Sequence, residues 1–129
     1  MKKVIDFKAF VNSYLATASW VTCESNENTD FTRNAQREAA EDCQTFINMV
    51  IAEFGEEKGV ELLTIPGNDL SYLTPHNFFL TRNHHGAGFW DSENIYGEME
   101  AKKLTEISHK MGEVDCYHVN GWKSRKLTF

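Results

Sequence analysis

The chain has 129 residues, 41% of them apolar and 12% aromatic, with a net charge of -6 and a mean hydropathy of -0.47. That length fits one domain, residues 1–129, burying roughly two-thirds of the surface its unfolded form exposes, and the composition excludes a chain that stays disordered. No apolar run approaches the roughly eighteen residues of a spanning helix, and Asp6 interrupts residues 1–5 before a signal-peptide core forms, so no membrane association and a cytoplasmic location are expected.

The charge is unevenly placed. Residues 1–75 hold 12 of the 19 Asp and Glu against 6 of the 13 Lys and Arg, whereas residues 76–129 hold 7 of each. A protein that binds nucleic acid directly shows a basic patch, so that class is disfavoured. An acidic half suits a partner with a basic surface, or it simply keeps the protein in solution. Cys23, Cys43 and Cys116 are odd in number and form no C-x-x-C pair, which points to reduced, mostly buried thiols.

In chain order, Asp6 is placed to cap a first helix, on which Phe7, Phe10, Val11, Tyr14, Leu15 and Ala18 recur at helical spacing. Residues 20–30 become polar and aperiodic and read as an exposed loop. From about Arg33 the helical period returns, with Ala39, Cys43, Phe46, Ile47, Val50 and Phe54 on one face and Glu38, Glu41, Asp42 and Glu53 away from it. Gly55 is the natural stop. Residues 56–63 add a short helix. Pro66, Gly67 and Pro75 then mark a connector between a helical part, about residues 1–64, and a mixed part, about residues 76–129.

In the mixed part, residues 78–82 and 87–90 read as paired strands around Asn83-His84-His85-Gly86. A helix is expected from about residue 98 to 111, with Leu104, Ile107, Ser108 and Met111 on one face and Gly112 at its end. Residues 113–119 alternate as a strand that takes Cys116 into the core. Asn120-Gly121 is a hairpin turn, and residues 122–129 return as an edge strand whose Lys123, Arg125 and Lys126 discourage further pairing. The expected fold is α+β, with N-terminal helices packed on a small, mostly antiparallel sheet that has one inserted helix.

The densest chemistry lies in residues 78–91, Phe-Phe-Leu-Thr-Arg-Asn-His-His-Gly-Ala-Gly-Phe-Trp-Asp. His84 and His85 are adjacent and would point to opposite faces of a strand. With no H-E-x-x-H and no calcium loop, no metal or other cofactor is expected; His85 and Asp91 with a distant third ligand form the metal alternative. Gly86 and Gly88 would let backbone amides approach an anion while Arg82 and His85 supplied charge. Gly-Ala-Gly leads into Phe89-Trp90 rather than a helix, however, so neither a dinucleotide fingerprint nor a phosphate loop is satisfied. The plainer reading has the glycines at positive φ in a hairpin, with Phe89 and Trp90 anchoring the sheet in the core. No Ser sits in a G-x-S-x-G elbow and Cys116 lies in a strand, so no catalytic residue is assigned; whether His85 and Asp91 form an acid–base pair depends on geometry.

The string Leu-Thr-Arg-Asn-His-His-Gly-Ala-Gly-Phe-Trp-Asp over residues 80–91 resembles a motif of small accessory proteins encoded by tailed bacteriophages, prophages and related mobile elements. Arg82, Asn83, His85, Gly86, Gly88, Phe89, Trp90 and Asp91 agree with that pattern, and His84 stands where a glycine is usual. Looser likenesses lie at residues 16–24, at Asp42-Cys43-x-x-Phe46, and at residues 103–106 through 112–115, while the basic tail after Gly121 departs from the family's short or acidic one. The resemblance implies a phage protein made in the host cytoplasm and carries no activity with it.

The leading expectation is a non-enzymatic phage accessory protein that binds and modulates a host protein with a basic surface, such as a defence or nucleic-acid-processing factor. Glu38, Glu41 and Asp42 would lie on its working face. The alternative is a small nucleotide- or anion-binding protein or enzyme using Arg82, Asn83, His85 and Asp91. A minor phage structural or regulatory component is a third reading. Oligomeric state is not legible in the residues.

Overall fold

Helix α1 (Phe7–Cys23) begins where the Asp6 carboxylate accepts the Ala9 amide at 3.1 Å, and its helical stripe buries Phe10, Val11, Tyr14 and Ala18. The computed structural model describes residues 4–23, 30–68, 70–119 and 126–129. The helix takes in residues 20–23, which the polar composition had assigned to a loop; residues 24–29 lie outside the described residues. Strand β1 (Asp30–Phe31) leads into α2 (Arg33–Phe54), whose first turn is closed by Thr32 Oγ1 accepting the Ala35 amide at 3.0 Å. The expected face of α2 is the buried one, from Ala35 through Ala39, Cys43, Phe46 and Ile47 to Val50. Gly55, at φ +87°, ends α2 and opens α3 (Glu56–Leu63).

The first departure from expectation is α4 (Thr74–Arg82), a helix where a hairpin strand was read. All its residues except His76 are buried, because it packs against α1, α3 and α6. An apolar run buried on every side has no periodicity to separate strand from helix. Pro75 lies in the first turn, where its missing amide removes no helical bond, so it starts the helix instead of breaking the chain. The second expected strand is likewise absent: Phe89–Asp91 form one 3-10 turn, followed by α5 (Glu93–Tyr96) and α6 (Glu98–Lys110), after which Gly112 turns the chain at φ +78°.

The sheet is small and mixed. Strand β3 (Lys126–Thr128) lies between β1, which it pairs parallel with Phe31 opposite Leu127, and β2 (Tyr117–His118), which it pairs antiparallel with His118 opposite Leu127. The tail is therefore the central strand and not an edge, because β1 reaches it and Leu127 is driven fully into the core. Only residues 117–118 of the expected strand over 113–119 pair, and Cys116 is half-buried. The expected turn at Asn120-Gly121, with Lys123 and Arg125, falls outside the described residues. The fold is thus mostly helical, six α-helices and a three-stranded mixed sheet among the described residues, in place of helices laid on a mostly antiparallel sheet. No described helix is long and apolar enough to cross a membrane.

One apolar cluster runs through α1, α2, α3, α4, the 3-10 turn and α6. Phe46 stacks on Phe78 at 4.0 Å and on Phe89 at 6.1 Å, and Tyr14 meets Phe79 edge-on at 5.3 Å. Phe129 stacks on Phe31 at 5.8 Å, which closes the sheet onto α1.

Candidate functional site

Arg82 ends α4 inside the molecule, with 3% of its side chain exposed. Its Nε donates to the Gly112 carbonyl at 2.8 Å and one terminal nitrogen donates to the Met111 carbonyl at 3.1 Å. The other donates to Asp42 Oδ2 at 2.8 Å and to the Tyr14 hydroxyl at 3.0 Å. The cation also lies 5.1 Å from the centre of the Phe78 ring. Arginine suits this place because its planar fork serves several acceptors at once. The two carbonyls belong to the C-terminal end of α6, where oxygens lack helical partners and the dipole is negative, so one buried cation joins α1, α2, α4 and α6. Burial raises the pKa values of Tyr14 and Cys43 well above their ordinary values and holds both groups neutral.

Part of the rest of the motif is bonded inward as well. Asn83 Oδ1 accepts the Val114 amide at 2.9 Å, and Thr81 Oγ1 accepts the Phe89 amide at 3.0 Å. Asp91 Oδ1 accepts the Gly88 amide at 3.0 Å, and Ser92 donates to the Gly88 carbonyl at 2.8 Å. A Cβ on Gly88 would collide with the Thr81 hydroxyl, which is why this position is glycine. His85 is half-buried, its amide bonded to the Leu80 carbonyl at 3.0 Å. His84 stands at φ +56°, a left-handed conformation that favours glycine, and its exposed ring stacks on His109 at 4.5 Å and reaches Glu113 at 3.4 Å. Arg82, Asn83 and Asp91 thus share one loop, but the contacts they make there are internal.

Phe89 is fully buried as expected, whereas Trp90 is not: 53% of it is exposed. A 3-10 turn sends neighbouring side chains in different directions, and Phe89 takes the inward one. Its neighbour Tyr96 is held in a second polar knot. The Thr74 hydroxyl donates to the Leu62 carbonyl at 2.6 Å, so the Tyr96 hydroxyl donates to Thr74 at 2.9 Å and accepts from Asn77 at 3.3 Å.

Glu38 and Glu41 are exposed on α2, while Asp42 is turned toward Arg82 and keeps 34% of its side chain exposed. Glu56, Glu57 and Glu61 extend the exposed carboxylates along α3. Among the described residues no group of three His, Cys, Asp or Glu is arranged to hold a metal ion.

Sequence reasoning missed His76. The Thr17 hydroxyl donates to the Ser13 carbonyl at 2.9 Å, so His76 Nδ1 is the donor in the 2.8 Å contact with Thr17, and burial lowers the pKa of the ring. Only its place beside Thr74 and Pro75, in what read as a connector, was visible beforehand. Compared with protein-family models, curated proteins and solved structures, the chain matches none.

Proposed function

We propose that this is a non-enzymatic phage accessory protein that binds and modulates a host protein with a basic surface in the host cytoplasm, in the manner of an inhibitor of host defence. The observation that carries the reading is the division of the charged groups. Arg82, the one motif residue with a fixed positive charge, is enclosed by four hydrogen bonds, while Glu38 and Glu41 stand exposed on α2 with Glu56, Glu57 and Glu61 on the adjoining α3. Exposed carboxylates on rigid helices attract a cationic surface over about a Debye length and speed its encounter. The competing reading, an anion held by Arg82, Asn83, His85 and Asp91, loses support because Arg82 would have to abandon Asp42 and two carbonyls to reach it.

The test is quantitative capture of partners from infected-cell lysate by tagged protein and by a Glu38→Lys, Glu41→Lys variant. Capture by the native protein, abolished by the variant and weakened by added salt, is the expected result. Equal capture by both, or none by either, refutes the reading.

A further inference from the structure

We draw no further inference here: the strongest candidate, the cluster of His84, His109 and Glu113 side chains where the turn after α4 meets the C-terminal end of α6, carries nothing because among the described residues no three such donors are arranged to hold a metal ion and nothing in the structure shows another ligand for it.

Discussion

A buried guanidinium is stable only while its acceptors stay in place, and Arg82 has acceptors on three other elements. Arg82→Met would keep much of the volume but leave the Asp42 carboxylate and the α6 carbonyls without their donor. A loss of about 3–5 kcal/mol in chemical denaturation is expected, and an unchanged midpoint would contradict the assignment. Arg82→Lys should recover only part of it, since an ammonium cannot reach the same acceptors as a planar fork. His76 gives a pH dependence. Burial lowers its pKa below the ordinary 6.5, so the unfolded chain binds the proton more readily and stability falls as pH drops through and below 6.5. His76→Gln should flatten the slope of melting temperature against pH between about 5 and 7; an unchanged slope would place its origin elsewhere.

Individual elements differ in how far the residues disclosed them. Asp6, Gly55 and Gly112 stand at three helix ends as expected, and the α2 stripe is the buried one, because amphipathic helices write both period and caps into the sequence. The α4 region gives no such signal, since Phe78, Phe79 and Leu80 are all buried and a uniformly apolar run suits a strand or a central helix equally. Thr32 is a cap that the sequence reading passed over; Thr32→Ala should destabilise by about 1 kcal/mol in a thermal melt. Gly88→Ala should be costlier, since the added methyl meets Thr81, and a variant as stable as the native protein would count against the turn geometry. The loop's side-chain contacts were legible only as an ambiguity. Arg82 finds Asp42 and Tyr14 at separations of 40 and 68 residues, and no spacing rule joins residues so far apart.

At the scale of the molecule, Arg82 of the motif holds helices together while the exposed carboxylates of α2 and α3 lie elsewhere. Asp42 marks the boundary, since it lies on the acidic helix but faces Arg82. Reversing its charge should therefore unfold the protein, whereas reversing Glu38 and Glu41 should leave the melting temperature within a few degrees. The most direct measurement pairs the melting temperature with partner capture for two proteins, Arg82→Met and the Glu38→Lys, Glu41→Lys variant. The first should melt well below the native protein, and the second should melt with it and capture nothing. A stable Arg82→Met protein, or a charge-reversed protein that still captures the native partner, would contradict this division between scaffold and working surface.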